Sequence, residues 1–262
     1  MEPKIAFLGT GGDALVVSKQ LRASGGILLS LPDLQIHIDP GPSALTELRR
    51  NRFNVRETSC ILVSHQHINH SNDVNAIIQG ITLGGLDKTG VLVTDESATS
   101  IVSDYHKGCL ERVILLQPEQ RVGVGEVEVV ALPTFHSVPG IGFKIITETF
   151  TLAYSADTAY NEKLCTAYAD ADILILNVVS PFGLSSEHNL SSDDAVKILS
   201  KVKPKLVIIT HFGIKMIDED PIYQAREMHH RTGIPIIAAE DGTVINPWAY
   251  AIHKQQKRLN SF

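Results

Sequence analysis

The sequence predicts a layered α/β protein in which two β-sheets pack together and helices cover their outer faces. Three observations predict it. Short apolar, β-branched runs recur along all 262 residues, and helix-like stretches separate some of them. The first half is strand-rich with hairpin-like turns, whereas the second alternates strand and helix.

The elements follow in order. "KIAFLG" (4–9), "GGILLSL" (25–31) and "LQIHID" (34–39) read as the first strands, with "GTGGD" (9–13) as a tight turn after the first. That turn lacks the Lys-Ser/Thr of a P-loop and the full dinucleotide fingerprint, although Asp13 within it is expected near a pocket. "SALTELRRN" (43–51) reads as a helix, then "CILVS" (60–64) as a strand and "SNDVNAIIQG" (71–80) as a helix. "GVLVTD" (90–95) is followed by the helix-like "DESATSIVSDYHKG" (95–108) and by "RVILL" (112–116). Four more runs, "VEVVALP" (127–133), "GFKIIT" (142–147), "FTLAYS" (150–155) and "DILILN" (172–177), read as strands. "SSDDAVKILSKVK" (191–203) opens on good N-cap and first-turn residues and keeps apolar positions at helical spacing. After "KLVIIT" (205–210), "DPIYQAREMHHRTG" (220–233) starts on Asp-Pro and stops at Gly233, both helix signals, before "IPIIAA" (234–239).

Composition narrows the class. The chain is 44% hydrophobic with a formal net charge of −6, which speaks against a nucleic-acid scaffold or an anionic membrane partner. The basic run "LRRNRFNVR" (48–56) reads as solvated surface. Three scattered cysteines make neither a disulfide framework nor a thiolate metal cluster and suit a reducing compartment. The opening apolar run is too short for a signal peptide and no stretch approaches a membrane span, so a cytoplasmic protein is expected.

The chemistry concentrates in "SHQHINHSN" (64–72), which sets His65, His67 and His70 within six positions. Residues two apart face the same way in extended chain, and His70 lies where a turn or helix start aims it at a neighbouring centre. Three further strand ends deliver metal-capable side chains: His136, Asp157 and His211. Sites in layered α/β proteins gather in loops at one sheet edge, so these residues are expected in one pocket. Neutral imidazole suits zinc, iron, nickel or manganese, and a carboxylate can bridge two such ions. His37 is expected on the polar side of its strand, and His106, His229, His230 and His253 on solvated surface.

"HQHINH" (65–70) resembles the HxHxDH signature of the metallo-β-lactamase superfamily, and His136, Asp157 and His211 match its later ligands in order and setting. "FLGTGGD" (7–13) and "IDPG" (38–41) resemble segments of the same family, and the likeness runs from about residue 5 to 245. The resemblance implies a four-layer αββα sandwich forming one domain over 1–262, with metals between the inner sheets. Carried over, one ion takes His65, His67 and His136, and another takes His70 and His211, with Asp157 bridging. The expected cofactors are one or two divalent ions per chain, zinc first, with manganese, iron or nickel as alternatives.

Asn69 stands where the family has aspartate. It keeps the shape and can offer a carbonyl oxygen, but it is neutral, which weakens the binding of a divalent ion. Three outcomes stay open: two metals with the second held loosely, one metal, or a binding pocket without catalysis.

"SEHNLSSDDA" (186–195) narrows the resemblance to the phosphodiesterase branch that includes ribonuclease Z and phosphoribosyl cyclic phosphodiesterases. In that branch a histidine placed like His188 assists at the scissile phosphate, so His188 and Asp157 are the expected catalytic residues. The resemblance implies hydrolysis of a phosphodiester by metal-activated hydroxide. Only 20 residues lie between His136 and Asp157, room for one hairpin strand and no RNA-gripping arm. A small or cyclic phosphodiester is therefore the expected substrate, rather than a long nucleic acid. Hydrolysis of a thioester or other acyl group is the alternative reaction, and a degenerate metal- or ligand-binding protein the alternative class. A homodimer is a further expectation, with "AIIQGITLGG" (76–85) either at its interface or in the core.

Overall fold

The predicted strands pair into two sheets, and the central ones are buried on both faces. The computed structural model of the chain describes residues 2–251. β1 (Lys4–Gly9), β2 (Ser24–Ser30) and β3 (Gln35–Ile38) form an antiparallel meander, with α1 (Ala14–Ser18) in the first link. α2 (Ala44–Arg50) carries the chain to β4 (Thr58–Val63), which runs parallel to β3. α3 (Ile68–Ser71) and α4 (Val74–Ile81) lead to β5 (Val91–Thr94), and α5 (Asp104–Cys109) leads to β6 (Arg112–Leu115), both again parallel.

The second sheet opens with β7 (Arg121–Val124), β8 (Val127–Pro133), β9 (Ile141–Ile146) and β10 (Thr151–Tyr154), antiparallel in succession. α6 (Glu162–Ala167) crosses to β11 (Ile173–Ser180), which also pairs the short β12 (Leu190–Ser191). α7 (Ser192–Lys201) leads to β13 (Leu206–Thr210), and α8 (Ile214–Asp218) and α9 (Pro221–Thr232) lead to β14 (Ile236–Ala238). β15 (Val244–Ile245) returns to the first sheet beside β1. The sheet orders are β15-β1-β2-β3-β4-β5-β6 and β14-β13-β11-β10-β9-β8-β7.

Three apolar layers hold this together. Between the sheets, Phe7, Ile27, Leu29, Ile36 and Ile38 meet Val129, Phe143, Ile145, Leu152 and Ile175. Outside the first sheet, Leu28, Ile61 and Val63 pack on Leu48, Ile77, Ile78 and Ile81 of the helices. Outside the second, Leu174, Leu176, Val207 and Ile209 pack on Ile198, Leu199, Ala225 and Met228. The order is helix, sheet, sheet, helix, as expected. α7 carries a full capping box, with the Ser191 side chain accepting from Asp194 N–H and Asp194 accepting from Ser191 N–H. α9 starts at Pro221 and ends at Gly233 in the left-handed conformation. Among the described residues no helix is long and apolar enough to cross a membrane.

Some expectations need correction. His37 is fully buried rather than polar-facing, because the side of β3 opposite Ile36 and Ile38 lies under the helical layer. The stretch 95–108 is not one helix: a 3-10 turn (Ala98–Ile101) ends before Ser103, which caps α5 by accepting from His106 N–H. The residues between His136 and Asp157 hold two strands, β9 and β10, rather than one. Within 76–85 Ile77, Ile78 and Ile81 are core, while Leu83 is exposed. His229 is exposed, as expected, although its Nδ1 lies 2.7 Å from the Ile234 carbonyl oxygen, and His253 lies outside the described residues.

Candidate metal centre

The strand ends converge. β4 ends at Val63 and delivers His65 and His67, α3 presents His70, and β8, β10 and β13 end just before His136, Asp157 and His211. Two ligand groups result, His65–His67–His136–Asp157 and His70–Asp157–His211, each with its ligand atoms within 4.8 Å of one another. His65 Nε2 lies 2.9 Å from His67 Nδ1, and His136 Nε2 lies 3.2 Å from the same atom. Asp157 sits between the groups, with Oδ2 3.2 Å from His70 Nε2 and Oδ1 3.2 Å from His211 Nε2.

Backbone conformation aims several of these groups. Asp39, Ala156 and His211 each adopt a left-handed φ, at 50°, 52° and 65°, just where a strand hands over to its loop. Such conformations are costly for non-glycine residues and collect at functional sites. Two glycines let loops close in. A Cβ on Gly12 would lie 2.1 Å from the His211 carbonyl oxygen, and one on Gly41 would lie 2.1 Å from that of Asn69. The "GTGG" and "IDPG" turns are thus the contact surfaces of the ligand loops. Asp13 accepts from Val16 N–H and Ile214 N–H, so it fastens α1 to the start of α8 beside His211.

Behind the ligands lies a polar layer that sequence reasoning missed. The buried Asp39 carboxylate accepts from Ser64 N–H and Ser64 Oγ–H at 2.7 Å each, from the Tyr154 hydroxyl at 2.8 Å, and meets His70 Nδ1 at 2.8 Å. Asn177 donates to Asp157 Oδ1 at 2.8 Å. His136 Nδ1–H donates to the His188 carbonyl at 2.7 Å, leaving Nε2 turned inward. Such outer partners fix which ring nitrogen faces a metal. One signal for Asp39 was present: it too follows directly on an apolar strand, within "IDPG".

The electrostatics follow from crowding. Burial, and behind it the neighbouring His70, holds His65 far below the usual histidine range. Burial and then His136 lower His67. Burial also opposes a charge on His70, but the carboxylates of Asp157 and Asp39 outweigh it and raise its pKa to about 10. Burial alone would raise Asp157, yet His211 and His70 keep its carboxyl well below the carboxylate range. Neutral His65 and His67 thus point lone pairs at one spot beside an ionised carboxylate. A cation there satisfies them together, and the donor set fits a divalent metal ion.

Two expected residues behave differently from the rest. The Asn69 amide nitrogen donates to the Gly12 carbonyl at 2.7 Å and lies 3.2 Å from His211 Nε2. Asn69 therefore turns its nitrogen, not a ligating oxygen, toward the second group. His188 is exposed, with its ring 6.4 Å from that of His136 and almost perpendicular to it. Glu187 beside it is exposed too.

The comparisons agree with this architecture. A model of the beta-lactamase superfamily domain matches residues 35–212, which include every ligand named above. The uncharacterized protein MJ1374 of Methanocaldococcus jannaschii is 32% identical over 252 residues, spanning 92% of this chain and 94% of that protein. Ribonuclease Z of Methanopyrus kandleri is 24% identical over 161 residues, 59% of this chain and 53% of that protein. The crystal structure of the metallo-β-lactamase fold protein YhfI from Bacillus subtilis superimposes with a TM-score of 0.80 at 18% identity, over 94% of this chain and 99% of that one. With the family match covering more than half of its residues and the ligand cluster in place, the chain belongs to the metallo-β-lactamase superfamily of metal-dependent hydrolases.

Proposed function

We propose that the chain hydrolyses a small or cyclic phosphodiester, with zinc as the first candidate among divalent ions. The observation that carries this reading is the position of His188. It stands at the rim of the ligand cluster, on the loop that the capping box of α7 closes. Its imidazole is exposed, and so within reach of a substrate at that rim. There it stabilises negative charge on phosphorus-bound oxygen, or gives a proton to the leaving oxygen. Asp157 holds both ligand groups in register, and Ser64, Asp39 and Asn177 keep its neighbours from turning. Bound divalent ions would supply activated water and neutralise phosphate oxygens.

Size and charge favour a small substrate. A groove of about 860 Å³ runs beside His136 and is lined by Asp95, Glu96, Leu116, Phe135 and Val138 among others, with no lysine or arginine among the described residues. A long polyanion needs a track of cations along its backbone, which this groove does not provide.

The test is turnover of bis-p-nitrophenyl phosphate and of cyclic phosphodiesters with added zinc or manganese. His188→Ala should lower kcat on the order of 10²-fold or more, the range of general acid–base catalysis, while metal content stays constant. Loss of metal together with activity would make His188 a structural residue. Turnover of thioesters alone would move the reaction to acyl transfer.

A further inference from the structure

The Asn69 amide lies between the Gly12 carbonyl and His211 of the second ligand group. Nδ2 and Oδ1 of an asparagine are told apart by their partners. Here the Gly12 carbonyl, 2.7 Å away, can only accept, so the group facing it must be the amide N–H₂. Turning the amide over would press two oxygens together at that distance. The same nitrogen lies 3.2 Å from His211 Nε2. Asp157 Oδ1 lies 3.2 Å from the same Nε2, but a metal requires Nε2 without its proton, and in that form the amide is a donor directed at the lone pair that His211 would give to a metal.

A ring nitrogen has one lone pair, and it serves a hydrogen bond or a metal but not both. The second group is left with His70, His211 and an Asp157 carboxylate that it shares with the first. It gains neither a fourth protein ligand nor a second negative charge from position 69. The first group has three imidazoles plus Asp157. Its ring nitrogens lie 2.9 and 3.2 Å from one another, contacts among the ligands themselves that a shared cation replaces, and among the described residues no amide donates to them.

We propose that Asn69 acts as a hydrogen-bond donor and makes the two groups unequal. One divalent ion binds tightly at His65, His67, His136 and Asp157. A second enters at His70, Asp157 and His211 only weakly, after the Asn69–His211 contact gives way. The difference is on the order of tenfold to a hundredfold in affinity, the size of effect seen when ligand-orienting contacts change.

The experiment is titration of the metal-stripped full-length chain with zinc and with manganese by isothermal calorimetry, with bound metal counted by mass spectrometry. None of these readings depends on hydrolysis, so they stand or fall apart from the proposed activity. The wild type should show one tight equivalent and a second at least about tenfold weaker. His211→Ala should abolish the weak event and leave the tight one unchanged. Asn69→Asp should tighten the second event toward the first. Because a carboxylate facing the Gly12 carbonyl could unsettle the fold, Asn69→Ala is the companion variant. It removes the competing donor and should raise the second affinity; an unchanged affinity would overturn the donor's role. Two equally tight equivalents in the wild type would overturn the proposal. So would a weaker second site in Asn69→Ala, which would make the amide oxygen a ligand.

Discussion

Asp39 touches no expected ligand position except through His70, yet its removal should be among the costliest single changes in this chain. Its carboxylate takes four hydrogen bonds within 2.8 Å, from Ser64 N–H, Ser64 Oγ–H, the Tyr154 hydroxyl and His70 Nδ1. A hydrogen bond to a charged group contributes about 1.5–3 kcal/mol, but these four cannot simply be added. After Asp39→Ala, Ser64 Oγ keeps His65 Nδ1 at 2.9 Å and the Tyr154 hydroxyl keeps Asn177 at 3.2 Å. Ser64 N–H and His70 Nδ1 lose a buried acceptor outright, and Ala must also hold the left-handed φ of 50°. The expected loss in the metal-free protein is about 3–5 kcal/mol, as for breaking a buried charged pair. Asp39→Asn keeps the volume, one oxygen and a tolerance of that φ, and should lose about half as much.

Urea unfolding of both variants measures this, with metal titration as the second reading. Freed of Asp39, His70 should swing from its place, weakening metal affinity on the order of tenfold to a hundredfold. An Asp39→Ala protein within about 0.5 kcal/mol of wild type would refute the reasoning, since that is the scatter of inconsequential surface changes. So would an Asn variant no milder than Ala.

His37 should contribute a pH dependence of its own. Burial lowers its pKa to about 4 despite the hydrogen bond to the Gly25 carbonyl, so below the ordinary value of 6.5 the unfolded chain takes up a proton that the fold refuses. Stability should be full above pH 6.5 and fall by roughly 3 kcal/mol as pH drops toward 4; His37→Leu should flatten that limb in acid-unfolding curves, and an unchanged limb would contradict the assignment. Gly12→Ala places a Cβ 2.1 Å from the His211 carbonyl oxygen, and the forced shift should cost about 1–3 kcal/mol and displace His211. Melting curves and metal titration of that variant read both effects. Metal at about 100-fold over its Kd should raise unfolding free energy by about 2.7 kcal/mol. A chelator that leaves the Tm of the metal-loaded protein unmoved would deny the ligand cluster its role.

What could be read in the sequence, and what could not, divides along physical lines. His65, His136 and His211 each follow an apolar run, and a strand end is a local feature, so their convergence was legible. Tyr154 and Asn177 sit inside such runs and look like ordinary interruptions of them. Their importance comes from Asp39, which lies 115 positions from Tyr154 and in the other sheet's loop. His37 was misjudged for a related reason: alternation tells which residues share a face but not that helices cover both faces of β3. The short β7, β12 and β15 and helices α1, α6 and α8 escaped notice because so few residues carry too weak a period.

Asn69 shows the same boundary most sharply. Its place in "HQHINH" was evident, and so was the missing charge. The direction of its amide was not, because that depends on a carbonyl 57 positions away, in a turn where only glycine lets the His211 loop come so near. The two features explain each other. A carboxylate at 69 would face the Gly12 oxygen without a proton to share, whereas an amide turns that contact into a bond. The GTGG turn and Asn69 thus form one coupled device, and a substitution at either should be felt at the other. Gly12→Ala and Asn69→Asp combined should depart from additivity by 0.5 kcal/mol or more in unfolding free energy, as directly touching residues do. Strict additivity would separate the turn from the ligand loop and leave the asparagine without its structural reason.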